Sequence, residues 1–232
     1  MEMLLFSLAV MAIAMGSILL AHYRNFRDSG YKAISGNSFI RTVSDKGFYG
    51  EYLTYAFLKK LDGYKKLMTN LYIPKEDGTT TEIDLIMLTE KGIYVIESKN
   101  YSGWIFGDEK NKFWTQTLPY NQKSRFFNPI WQNKGHIKAF KSLAGIENDD
   151  FYKSYIVFSE RCTLKKVSFG SQNIKVVNRD KLLTVIKADM DSSSYVLSRE
   201  DVDQLHTQLQ EYALADEARK KAHIEDIRSK KC

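Results

Sequence analysis

Charge placed inside apolar runs is what most restricts how this chain can fold. Glu82-Ile83-Asp84-Leu85-Ile86-Met87-Leu88 is followed, after Thr89-Glu90-Lys91, by Gly92-Ile93-Tyr94-Val95-Ile96-Glu97-Ser98-Lys99. Both runs read as buried strands, the first carrying one acid and the second ending in Glu-x-Lys. An unpaired buried carboxylate costs several kcal/mol, so such acids persist where a partner or a metal neutralises them. The turn at Thr89–Gly92 predicts that the second strand folds back on the first, bringing Asp84 beside Glu97. Side chains two apart share a strand face, so Glu97 and Lys99 point one way and Ser98 the other. Asp84 and Glu97 would supply the hard oxygen ligands that a divalent cation prefers, and Lys99 would orient a water or stabilise charge on a phosphate. The competing interpretation is a Glu97–Lys99 salt bridge at a strand end.

These residues carry a resemblance. Asp84…Glu97-x-Lys99 resembles the signature of the PD-(D/E)XK nuclease superfamily, with Ile83 where proline is usual. Upstream, Gly47-Phe48-Tyr49-Gly50-Glu51 resembles the Gly-Glu opening of the nuclease-related domain, NERD. Downstream, Asn100-Tyr101-Ser102-Gly103, Trp114 and Asn128-Pro129-Ile130-Trp131-Gln132 resemble its Lys-Asn-Tyr-x-Gly continuation, its tryptophan and its Asn-Pro-x-x-Gln helix start. The likeness covers about residues 45–145. It implies a restriction-endonuclease-like mixed β-sheet flanked by helices and a magnesium- or manganese-dependent nuclease acting on DNA or RNA. Asp84, Glu97 and the Ser98 carbonyl would hold the metal, Lys99 would place the attacking water, and Glu51 would support the metal shell. The alternative is a catalytically inactive nucleic-acid-binding or membrane-tethered scaffold on the same fold.

Read from the residues alone, Glu51 lies in the first turn of a helix, where a carboxylate also suits the helix dipole. Asn128-Pro129 opens a second helix, with proline where its missing N–H is harmless. Gln132, His136 and Phe140 fall four apart on one face of it. The resemblance implies a substrate-side role for Gln132, whereas His136 is expected simply to pack on the sheet.

From Met3 to Tyr23 there is no Asp, Glu, Lys or Arg. At ~1.5 Å per residue this stretch can cross the ~30 Å hydrocarbon layer. A cleaved signal peptide wants a positive start and a small-x-small site; Glu2 replaces the first, and no persuasive example of the second precedes Arg24. Arg24, Arg27 and Lys32 follow at once and place the C-terminal bulk in the cytoplasm. The expected plan is a single-pass anchor over 3–23, a polar linker over 24–46, one α/β domain over 47–213 and a charged C-terminal helix, solvated and fraying into a tail, over 214–232.

The net charge is +6 over 232 residues, and Glu2 is the only charge before Arg24, so the remainder carries +7. That basic excess suits nucleic acid or an anionic membrane surface. Lys110 to Arg125, interleaved with Phe113, Trp114, Tyr120 and Phe126, is a candidate nucleic-acid segment, with Trp114 itself expected in the core. Cys162 and Cys232 are too few and too far apart for a disulfide framework or a zinc site, and no Ser/His/Asp arrangement or phosphate-binding glycine loop is present.

The full chain should sediment with membranes and resist carbonate extraction, while a chain beginning near Asn25 should be soluble and folded. Recovery of the full chain in a detergent-free soluble fraction would overturn the anchor.

Overall fold

The computed structural model describes residues 2–215 and 217–229. One helix, α1 (Glu2–Ser29), leads in, and no described side chain on it is buried before Phe26. Its Met3–Ser29 stretch is long and apolar enough to span a membrane. Short helices α2 (Tyr31–Ser35) and α3 (Phe39–Ser44) follow, then α4 (Lys46–Leu58). Asp45 caps α4, accepting from the N–H groups of Gly47 and Phe48.

Strands β1 (Lys65–Pro74), β2 (Thr80–Thr89) and β3 (Gly92–Lys99) form an antiparallel meander. Next come β4 (Gly103–Asp108), β5 (Phe113–Leu118) and β6 (Gln122–Phe127), then helix α5 (Pro129–Ala144). Strands β7 (Tyr152–Phe158), β8 (Cys162–Ser168) and β9 (Ile174–Asn178) lead to helices α6 (Arg179–Ser192), α7 (Arg199–Leu209) and α8 (Glu217–Ser229). The strands sort into a five-stranded mixed sheet, β1-β2-β3-β7-β9, and a four-stranded one, β6-β5-β4-β8. Helices cover both faces of the larger sheet. Ile86, Leu88 and Val95 pack against α5 and α7 through Phe140, Val202 and Leu205. Leu85, Met87 and Ile96 pack against α4 and α6 through Tyr55, Leu58 and Ile186. A third apolar cluster, around Trp114, Ile130 and Phe158, lies where the two sheets meet.

Several local expectations change. The stretch 24–46, expected as a polar linker, is mostly helical through the end of α1, α2 and α3, and Phe26 and Tyr31 sink into the aromatic core beside Tyr52 and Tyr55. Of the polar run at 121–125, Asn121 ends a short 3₁₀ turn and 122–125 belong to a strand, β6, paired with β5 from Leu118↔Gln122 to Phe113↔Phe127. Its alternation is hidden because both of its faces are largely exposed. Strand β8 is hidden for the same reason, with Thr163, Lys165, Lys166 and Ser168 all exposed. The C-terminal helix expected to be solvated is present as α8 but packs back on the domain, where His223 is buried edge-on to Tyr72 and 3.1 Å from the Thr80 hydroxyl. Lys230, Lys231 and Cys232 lie outside the described residues.

Phe26→Ala should destabilise the domain by about 3 kcal/mol and open residues 30–46 to protease, both measured on the full chain in detergent. A flexible tether would show neither effect.

Candidate active site where two strands separate

The pairing of β2 with β3 runs from Thr89↔Gly92 to Leu85↔Ile96 and stops there. One residue further on, Asp84 and Glu97 would be partners. Instead the Asp84 side chain takes over the ladder's role, its Oδ2 accepting from the Ser98 N–H at 2.8 Å. Across β2 the register brings Asn70 of β1 opposite Asp84, between the pairs Thr69↔Leu85 and Leu71↔Ile83. Asn70 has φ 53°, a left-handed conformation that asparagine tolerates better than most residues. Side-chain alternation changes phase there: Met68, Leu71 and Ile73 all join the same core, although 68 and 71 are an odd number apart.

Four charged groups converge at this opening. Glu97 is 1 % exposed, with Oε1 bonded to the Lys99 ammonium and Oε2 3.0 Å from His136 Nε2. An ionised carboxylate only accepts, so the His136 ring donates there; its Nδ1 sits 2.8 Å from the Thr81 hydroxyl. Lys99 also donates to Gln132 Oε1 at 3.1 Å. Glu51, buried on α4 and in its second turn rather than the expected first because the helix starts at Lys46, accepts from Asn70 Nδ2 at 2.8 Å. Ser98 turns to the opposite face, where its hydroxyl lies 3.2 Å from Thr54 on α4. Arg179, also buried, donates to Thr54 and to Glu160, which ties α4, β3 and the start of α6 together.

The electrostatics separate the acids. Burial opposes charge on Glu97, but Lys99 and His136 overcome it and hold the carboxyl down at about 2. Burial pushes Glu51 up to about 8; the Asn70 hydrogen bond opposes this, and the nearby charges of Glu82, Glu97 and Asp45 add to it. Asp84 is raised well above the ordinary range by burial and by the charges of Glu97 and Glu51. Burial works against the charge on Lys99, yet Glu97 and Asp84 raise its pKa overall. The site is therefore one firmly ionised carboxylate and two suppressed ones around a lysine.

Every predicted site residue lies in this region: Asp84, Glu97, Lys99 and Gln132 at the opening, Ser98 between them, and Glu51 entering from α4. His136, expected only to pack, is buried and also holds Glu97. Sequence reading missed Asn70, although a polar residue inside Leu67-Met68-Thr69-Asn70-Leu71-Tyr72-Ile73 is the same signal that marked Asp84. It also missed Thr81 and Arg179, which carry no local signal.

Residues 46–159 match the family described as the nuclease-related domain. An uncharacterized protein of Bacillus anthracis is 34% identical over 186 residues, covering 80% of this chain and 85% of the relative. The chain belongs to the nuclease-related domain (NERD) family. No solved structure matches it. The NERD domain is a restriction-endonuclease-like fold, and its match ends at Ser159, so β9 and α6, with Arg179, lie beyond the matched segment.

The Glu51 result gives a signed test. A carboxyl raised to about 8 binds its proton more tightly folded than unfolded, where the ordinary value is about 4.3. Its contribution to stability is complete below about pH 4 and is lost as pH rises towards about 8. Glu51→Gln keeps an amide oxygen for Asn70 and has nothing to ionise. Without divalent metal, the variant should melt higher than wild type at about pH 9 and level with it near pH 4. A lower melting temperature at the alkaline end would contradict the assignment.

Proposed function

We propose that this NERD protein is a membrane-anchored, divalent-metal-dependent phosphodiesterase that cuts nucleic acid on the cytoplasmic side. The observation that carries the reading is the gathering of Asp84, Glu97 and Glu51 around Lys99 where β2 and β3 separate, with two of the three acids pushed towards neutrality. Evolution of a purely structural cluster would favour apolar replacements, because buried charge rarely adds net stability.

The residues suit a hard cation. The donor set is all oxygen, and Asn70 Oδ1 beside it is buried without a hydrogen-bond partner. Among the described residues no group of three or more His, Cys, Asp or Glu side chains is placed to hold a metal ion, so the cation would rest on two carboxylates with backbone, amide and water oxygens completing its shell. Glu97 Oε1 must also be shared with, or released by, Lys99. Asp84 and Glu97 would hold magnesium or manganese, with the Ser98 carbonyl as a further ligand and Glu51 supporting the shell. When bound, the metal supplies Lewis-acid polarisation of the phosphodiester and lowers the pKa of a water.

The chain's own groups do the rest. Lys99 orients the attacking water and stabilises negative charge developing on the phosphate. Gln132 steers the ammonium by accepting from it, and His136 fixes the Glu97 carboxylate. Burial keeps these groups from reorganising in water. The apolar α1 supports the anchor, and Arg24, Arg27 and Lys32 just after its span support the cytoplasmic orientation.

A second reading, a NERD-fold binding module without turnover, draws on the engagement of both Glu97 oxygens by Lys99 and His136. The two readings separate on incubating the full chain, in detergent, with labelled single- and double-stranded DNA and RNA, with magnesium, manganese or a chelator. Cleavage should require the metal. Lys99→Ala should lower turnover about 10²–10³-fold while metal affinity by calorimetry stays near wild type. Asp84→Asn should lose metal binding and cleavage together. A wild-type chain that binds no metal and cuts nothing would leave the binding module as the better account.

A further inference from the structure

The smaller sheet has two chemically different faces. Directly paired residues share a face, so the register Trp104↔Thr117↔Lys123, Phe106↔Thr115↔Arg125 and Phe113↔Phe127 defines one of them. The opposite face carries Ile105, Trp114 and Phe126, which pack into the core between the sheets. Gly107 belongs to that inner face, where a Cβ would come within 2.1 Å of the Trp114 ring. The outer face is open: Trp104 is 51% exposed, Phe113 41% and Phe127 42%. Soluble surfaces rarely leave three large aromatics uncovered on one sheet face.

Cations surround those rings. Lys123 and Arg125 project from β6, and Lys165 and Lys166 from the bulged edge strand β8, all exposed. Lys165 Nζ lies 5.4 Å from the centre of the Trp104 ring, and Arg125 Cζ 4.9 Å from that of Phe113. The one acid at the end of this face, Asp108, is taken up by the Ser168 hydroxyl and the Lys110 N–H.

The chain also fixes this sheet to the site. Three of its four strands are inserted between the two site-bearing elements, with β8 added from beyond α5: β4 starts after the short connector Asn100-Tyr101-Ser102 that leaves Lys99, and β6 runs into α5, which carries Gln132. Gln116 Nε2 donates to the Ser102 carbonyl at 2.8 Å, and Arg161 donates to Asn100 Oδ1 at 2.9 Å.

We propose that the outer face of the β6-β5-β4-β8 sheet is a binding platform for single-stranded nucleic acid leading into the Asp84–Glu97–Lys99 site. Half-exposed rings whose present cover is a mobile cation can stack on a base only when that base is out of its own stack, which a duplex forbids and a single strand allows. The lysines and arginine supply the phosphate contacts that the rings lack. The proposal builds on the phosphodiesterase reading by naming its substrate class, and binding can be measured apart from cleavage.

The test uses the full chain in neutral detergent with a chelator present, titrated into a labelled oligothymidylate or oligouridylate of about 16 nucleotides. Wild type should bind it at least tenfold more tightly than a duplex of the same length. Trp104→Ala and Phe127→Ala should each weaken binding about tenfold, in line with the measured worth of base–aromatic stacking, and Trp104→Phe should retain most of it. Lys165→Gln with Lys166→Gln should flatten the salt dependence by about one unit of slope. The platform is overturned if the aromatic variants, folded by their melting curves, bind like wild type, or if the duplex binds equally well. Tighter, Trp104-dependent binding to phosphatidylglycerol vesicles would overturn it too, in favour of a lipid surface. Trp104-dependent binding with no cleavage after metal addition would support the platform while removing the nuclease reading. Cleavage that ignores every platform substitution would do the reverse.

Discussion

The interaction on which the rest of this structure depends is the Asp84 carboxylate accepting the Ser98 N–H. A sheet ladder that ends inside a protein leaves backbone donors that must find partners. Here the partner is a side chain, so β2 and β3 can diverge just before Glu97 without an orphaned N–H. The gap that opens admits Glu51 from one side of the sheet and Gln132 and His136 from the other. Asn70 answers across β1 by taking a left-handed conformation, which shifts the phase of its strand and turns its amide to Glu51. The cluster is thus a local failure of sheet pairing, held in place by the groups that exploit it.

Such a site works against the fold that carries it. Glu51 and Asp84 are held away from their preferred ionised state, and Asn70 Oδ1 is buried unpartnered. Each is a stability cost, and costs of this kind concentrate at functional positions. The surroundings over-determine the geometry: Arg179 and Thr54 tie α4 to β3, and α5 and α7 press Phe140, Val202 and Leu205 onto the meander below. The same holds at the N-terminal end. Phe26 and Tyr31 bind the foot of α1 into the core, so the proposed anchor is joined to the domain by packed aromatics rather than by a loose chain.

How much of this was legible in the sequence follows from where burial is one-sided. The meander and its turn were readable because Ile83–Leu88 and Ile93–Ile96 are apolar on both faces, which leaves Asp84 and Glu97 conspicuous. The NERD likeness was readable because its motifs come in order. Strands β6 and β8 were not, because they lie at the two edges of an open sheet, where Lys123, Ser124, Lys165 and Lys166 meet no periodic constraint. The helical packing of 24–46 was hidden by its polar composition, in which only Phe26, Tyr31, Ser35, Asn37 and Thr42 are buried. His136 and Thr81 could not be assigned to Glu97 from sequence, since that contact is set by how α5 crosses the sheet.

A final constraint links the acid cluster to the basic surface. A polyanion is repelled by the ionised Glu97, and Lys99 is already engaged by Glu97 and Gln132. On the proposed reading, affinity therefore has to come from elsewhere: phosphates are drawn by cations such as Lys123, Arg125, Lys165 and Lys166, and bases by the Trp104, Phe113 and Phe127 rings. Separating attraction from chemistry in this way lets the opening stay acidic enough to take a divalent cation, while a sheet built from β4–β6, between Lys99 and Gln132, and from the later strand β8 brings the phosphodiester to it. Binding energy gained on the platform can then offset the electrostatic cost of placing a phosphate beside carboxylates.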